Sequence, residues 1–159
     1  DGAMGTMIQG LKLEEVDFRG KEFKNHSKDL KGNNDLLCLT QKDAIKKLHI
    51  EFLEAGIDII STNTSNSTYY GQYEYDTNSK DMIKKINIAA VEVAQEARAE
   101  YQKTNNRPIW IAGSIGPTNR TASLSPDVNN PGFRSVTFDQ VMEFPNSCPF
   151  KVIGDVILK

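Results

Sequence analysis

The chain has 159 residues, a formal net charge of −2, 38% hydrophobic residues and 25% charged ones, a composition that suits one folded domain. That balance excludes the basic field needed to hold nucleic acid or an anionic membrane surface, and no apolar run approaches the roughly 18 residues of a membrane-spanning helix. No secretory leader is visible and the first residue is Asp1 rather than Met, so the expectation is a piece of a cytoplasmic protein.

In chain order, the opening Asp1-Gly-Ala-Met-Gly-Thr6 combines an acidic side chain with two glycines. Gly2 and Gly5 permit close backbone approach, so free amides there could cradle a carboxylate while Asp1 takes an ammonium group; a plain tight turn is the alternative. Glu14, Glu15 and Asp17 read as a solvated acidic face. Cys38, between Leu37 and Leu39, reads as a small buried hydrophobe. The spacing of Ile45, Leu48, Phe52 and Ala55 predicts a helix over 41–55, with Thr40 and Asp43 as a capping box and Gly56 as its stop. A short β-branched strand follows over 57–61.

The segment 62–80 is then a long connection containing Tyr69, Tyr70, Tyr73 and Tyr75, which could stack on a ligand or pin the loop. Apolar residues at Ile83, Ile86, Ala90, Val93, Ala94, Ala97 and Tyr101 predict a long amphipathic helix over 81–103, capped by Asn78 or Ser79. A second apolar strand covers 109–115 and breaks at Gly116-Pro117. After another long connection, 116–136, Thr137-Phe-Asp-Gln140 resembles a capping box opening a further helix.

Helices alternating with short apolar strands predict an α/β fold with parallel strands. In such folds ligands bind beyond the carboxyl ends of the strands, where both long connections lie. The expected site is therefore built from residues 62–68 and 113–125. Its groups are hydroxyls and amides, joined by Asn119 and Arg120. No dinucleotide or phosphate-loop fingerprint occurs, and no Ser/His/Asp arrangement is evident. Cys38 and Cys148 are far apart, and His26 and His49 form no close pair with them, so neither a disulfide framework nor a structural zinc site is read.

Four segments carry a resemblance: Asp1-Gly-Ala-Met-Gly-Thr-Met-Ile-Gln9, Leu30-Lys-Gly-Asn-Asn-Asp-Leu-Leu37, Gly56-Ile-Asp-Ile-Ile-Ser-Thr-Asn-Thr64 and Gly116-Pro-Thr-Asn-Arg-Thr-Ala-Ser-Leu-Ser-Pro-Asp-Val128. Together they resemble the homocysteine-binding domain of cobalamin-dependent methionine synthase. The resemblance implies a (β/α)8 TIM barrel, of which this chain would hold roughly the first three βα units without the first strand. It implies methyl transfer from methylcobalamin to a homocysteine thiolate activated by zinc on three cysteines. It also implies homocysteine and the folate-, cobalamin- and activation modules of a parent chain as partners. Carried residue by residue, substrate binding falls on Asp1, Gly2 and Ala3, with Gly5 and Thr6 shaping the turn. Thr62, Asn63 and Thr64 would line the same mouth, as would Gly116, Pro117, Thr118 and Asn119.

The chain departs from that family in three ways. The strand expected before Asp1 is not in the sequence. Ser61 stands where the family usually has Glu, and Ser65 where it has Phe. From Met142 the resemblance stops, which divides the chain into a partial homocysteine-binding domain over 1–141 and a divergent tail over 142–159, its two prolines ending a helix early. The family's zinc cysteines lie in later strands, so no catalytic or metal residue is assigned here, and neither zinc nor methylcobalamin is expected on this chain alone. The expectation is a member of a methyltransferase lineage that is inactive as an isolated fragment. The alternatives are a non-catalytic truncated remnant or splice product, and a cobalamin-independent homocysteine S-methyltransferase, which the segment 116–128 disfavours.

Overall fold

The computed structural model describes residues 2–117, 120 and 122–140, together with the strand Val156–Leu158. The elements in chain order are α1 (Met4–Gly10), α2 (Glu15–Arg19), α3 (Leu37–Thr40), α4 (Lys42–Glu54), β1 (Ile59–Ser61), α5 (Tyr69–Tyr73), α6 (Lys80–Tyr101), β2 (Trp110–Gly113) and β3 (Val156–Leu158); a 3₁₀ turn, Asn34–Leu36, leads into α3.

The periodic segments fold as their spacing predicts. α6 starts at Ser79, whose hydroxyl accepts the Met82 N–H at 3.2 Å, and it buries Ile83, Ile86, Ala90, Val93, Ala94 and Ala97. Its stripe packs against α4, where Ile45, Leu48 and Leu53 are buried. Two ion pairs, Lys42–Glu96 at 2.7 Å and Lys46–Glu100 at 3.1 Å, cross between the two helices. Exposed to water, both pairs are screened and contribute little, so burial of the shared stripe holds the contact. Gly56 follows α4 at φ +98°, the left-handed conformation of a glycine stop.

The capping box expected at Thr40 is not formed. Thr40 is the last residue of α3, so its backbone is helical where a cap must be extended, and Gln41 occupies the cap position without a side-chain bond. The Thr40 hydroxyl is buried and unpaired. The box at Thr137 does form. Gln140 N–H donates to Thr137 Oγ1 at 3.2 Å and Thr137 N–H donates to Gln140 Oε1 at 2.8 Å.

The three strands are parallel in the order β1-β2-β3, with Ile60 beside Ile111 and Ala112 beside Ile157. Consecutive strands are neighbours and α4 and α6 pack on each other, so the sheet winds in one direction without a reversal. Ile60 and Ile111 face those helices, in a cluster with Leu53, Ala94 and Ile109. β3 comes from within the segment 142–159. Both earlier strands are shorter than their apolar runs. The Arg107 guanidinium takes the carbonyls of Leu53, Gly56 and Ile57, which removes Ile57 from the ladder.

The acidic cluster near the start is not a solvated face. Glu15 accepts the N–H groups of Leu30 and Lys31 and pairs with Arg19, fastening the 28–31 segment onto α2. Burial alone would raise its pKa, but those N–H bonds and the guanidinium outweigh it and hold it below the ordinary range. Glu14 and Asp17 form the capping box of α2.

Candidate functional site at the strand ends

The connection after β1 and the one after β2 are locked together by a closed ring of hydrogen bonds. Ser114 N–H donates to Thr62 Oγ1 at 3.0 Å, the Thr62 and Thr64 hydroxyls are 2.7 Å apart, and Thr64 Oγ1 donates to the Ser114 carbonyl at 2.7 Å. Side chains thus replace the backbone ladder, which is why β2 ends at Gly113. Gly116 completes the clip: its N–H donates to the Ser65 carbonyl at 3.0 Å, and a Cβ at this position would collide with that oxygen. A glycine is required by close approach alone.

Beside this clip lies a cleft of about 530 Å³. Gly2, Met4 and Gly5 border it from the amino-terminal segment, and Gly32, Asn34 and Asp35 from the turn before α3. Ser61, Thr62, Asn63, Ser65 and Asn66 border it from the end of β1, and Ser114 and Ile115 from the end of β2. Gly2 rests against the Phe52 ring of α4, where a Cβ would not fit. The expected residues Gly2, Gly5, Thr62 and Asn63 are therefore brought together around one space.

Others among the expected residues are placed differently. Ala3 and Thr6 are exposed and do not border the cleft; α1 begins at Met4, so the expected turn is one residue from a helix. Thr64 is buried behind the cleft in the hydroxyl ring. Gly116 and Pro117 lie beyond Ile115 and do not border it. Asp1, Thr118, Asn119 and Cys148 lie outside the described residues.

The turn 33–36 was not expected at the site. It is held there by the Asn63 side-chain amide, which donates to the Asn34 carbonyl at 2.7 Å. A buried amide pair, Asn33 with Gln72, ties the same turn to α5 at 2.7 and 3.1 Å. Asp35 is 4% exposed and accepts both the Asn66 N–H and the Ser67 hydroxyl on Oδ1, each at 3.1 Å. Burial raises its pKa to about 6, against the pull of those bonds. The available signal was a carboxylate directly before an apolar run, Leu36-Leu37-Cys38-Leu39, where a charge is out of place.

Cys38 is buried as expected, and burial together with the Asp35 charge pushes its thiol up to about 12. It is inert at neutral pH. Among the described residues no group of three His, Cys, Asp or Glu side chains comes together in a way that could hold a metal ion. The tyrosines divide into two sets. Tyr75 packs against the main core, while Tyr69 meets Tyr70 edge-on at 5.6 Å and lies 6.2 Å from Tyr73. Arg120 sits 6.0 Å above the Tyr70 ring, in a second cleft of about 500 Å³.

A profile of the homocysteine S-methyltransferase family matches residues 1–146. The chain belongs to this family. Its members are methyltransferases, and the fold agrees with a solved one. The metallated form of the homocysteine methyltransferase MmuM from Escherichia coli superposes with a TM-score of 0.66 at 20% identity, over 93% of this chain and 46% of that one. The oxidized form of MmuM gives 0.57 at 22% identity, over 74% and 36%. The chain thus spans about half the length of this family relative.

Proposed function

We propose that the strand-end cleft is the homocysteine site of a cobalamin-dependent methionine synthase, of which this chain forms the amino-terminal part of a (β/α)8 barrel. One observation carries the reading: Gly2 and Gly5 converge with Thr62, Asn63 and Ser114 on one polar cleft at the carboxyl ends of parallel strands. The family profile and the Gly116–Val128 segment support it. Strands that are consecutive neighbours, with helices packed on one another, suit a barrel wall better than a doubly wound sheet.

In this reading the backbone at Gly2 and Gly5 faces the carboxylate of the amino acid. The hydroxyls of Ser61, Thr62 and Ser114 hold a polar wall, and the clip at Gly116 fixes the spacing of the two loops. Zinc supplies thiol activation in this chemistry. The described residues do not fit that role, because Cys38 is their sole thiol and is buried. The role proposed for them ends at substrate binding, with methyl transfer needing later strands and the cobalamin-carrying partner module.

The test is a ¹⁵N NMR titration of the chain with L-homocysteine. Amide shifts at Gly2, Thr62, Asn63 and Ser114 are expected. No shifts at millimolar ligand, or shifts confined to the Tyr69–Tyr73 side, would refute the assignment of this cleft.

A further inference from the structure

We infer that Asp35 is the counter-ion for the ammonium group of the amino acid bound in this cleft, an inference that rests on the homocysteine reading above. Asp35 is the sole carboxylate bordering the cleft among the described residues. It is 4% exposed, and both of its bonds to other residues fall on Oδ1, one from a backbone N–H and one from a hydroxyl. Neither donor carries charge, and no described ion pair includes Asp35. The titratable groups that sense its charge are the Cys38 thiol on α3 and the Tyr75 phenol after α5; burial raises both, and the Asp35 charge adds to it, behind Glu74 in the case of Tyr75. Buried anions are ordinarily paired with a cation or a metal.

What surrounds Asp35 is therefore an acceptor held in place without its cation. The Asn66 and Ser67 bonds fix the carboxylate from the β1 connection, and the Asn63–Asn34 bond fixes the backbone beside it. A primary ammonium entering the cleft supplies both the positive charge and three N–H donors. The chemical class selected is an α-amino acid with a protonated amine, and a des-amino thiol acid is discriminated against because it leaves the carboxylate unpaired.

The experiment compares L-homocysteine with 4-mercaptobutanoate by calorimetry, on the chain and on its Asp35→Asn variant. The asparagine oxygen can still accept from Asn66 and Ser67, so the loop retains its anchor. The chain is expected to prefer homocysteine by about tenfold or more, and the variant to bind both equally. A variant that keeps the full preference overturns the Asp35 assignment and leaves the homocysteine reading intact. If neither thiol acid binds, the homocysteine reading fails, and 3-aminopropanethiol decides for Asp35. Binding to the chain and not to the variant upholds the ammonium site; no binding to either overturns it.

A second measurement needs no variant. The Asp35 carboxyl is followed by ¹³C NMR across pH, with and without homocysteine. An ammonium partner lowers its titration midpoint; an unchanged midpoint in the bound state overturns the inference.

Discussion

Replacing His49 with leucine isolates the energetic consequence of one buried ring. His49 lies on α4, 1% exposed, and neither ring nitrogen has a hydrogen-bond partner. Burial disfavours the imidazolium and lowers its pKa from 6.5 to about 4. Between those values the unfolded chain binds a proton that the folded chain refuses. Stability is therefore intact above pH 6.5 and falls as the pH drops toward 4, by up to about 3 kcal/mol. Leucine has no proton to bind and no unsatisfied nitrogen. The His49→Leu variant should be more stable by about 1 kcal/mol near neutral pH, and the gap should widen to about 4 kcal/mol near the lower limit.

Asp35 acts in the opposite direction, since its raised pKa lets the folded chain keep a proton that the unfolded chain releases between 3.8 and about 6. That trend is common to both proteins and cancels in their difference. Urea unfolding followed by far-UV circular dichroism, at a series of pH values from neutral to mildly acidic, gives the difference directly. A gap that stays constant with pH would refute the reasoning, because it would mean that the folded state accommodates the charged ring.

Two further substitutions test the parts that position the site. Gly116→Ala places a methyl group against the Ser65 carbonyl oxygen, and should cost about 1–3 kcal/mol in thermal or urea unfolding while weakening homocysteine binding at the neighbouring cleft. Unchanged stability would mean that the two loops are not clipped together. Arg107→Lys replaces a planar fork that reaches the carbonyls of Leu53, Gly56 and Ile57 and pairs with Asp58 at 3.2 Å. One ammonium cannot span all three, so a loss of about 1–2 kcal/mol is expected, with little change in ligand affinity.

The elements legible in the sequence are those whose cause is local. α6 and α4 follow from a stripe that repeats with the helical period, and Ser79 and Gly56 mark their ends by their own chemistry. The capping box at Thr137 was readable for the same reason. Thr40 shows the limit of such reading. It has the right partner three residues on, but α3 immediately before it holds its backbone helical. α1, α2, α3 and α5 carry too few residues to declare a helical period, and packing rather than propensity forms them. Glu15 looked solvated because its N–H partners are 15 and 16 residues away.

The site divides along the same line. Alternation of helices and apolar runs was enough to place the strand-end connections at a ligand site, because parallel strands connected by helices put all their carboxyl ends on one side. Gly2, Gly5, Thr62 and Asn63 could be named from that rule and the resemblance. Which groups border the cleft was decided by contacts between distant segments: Asp35 is brought in by Asn66 and Ser67, 31 and 32 residues on, and Ser114 by hydroxyls about 50 residues earlier. Such bonds leave no periodic trace in the chain. They depend on packing, since the α4–α6 stripe and the strands resting on it set the two strand ends side by side.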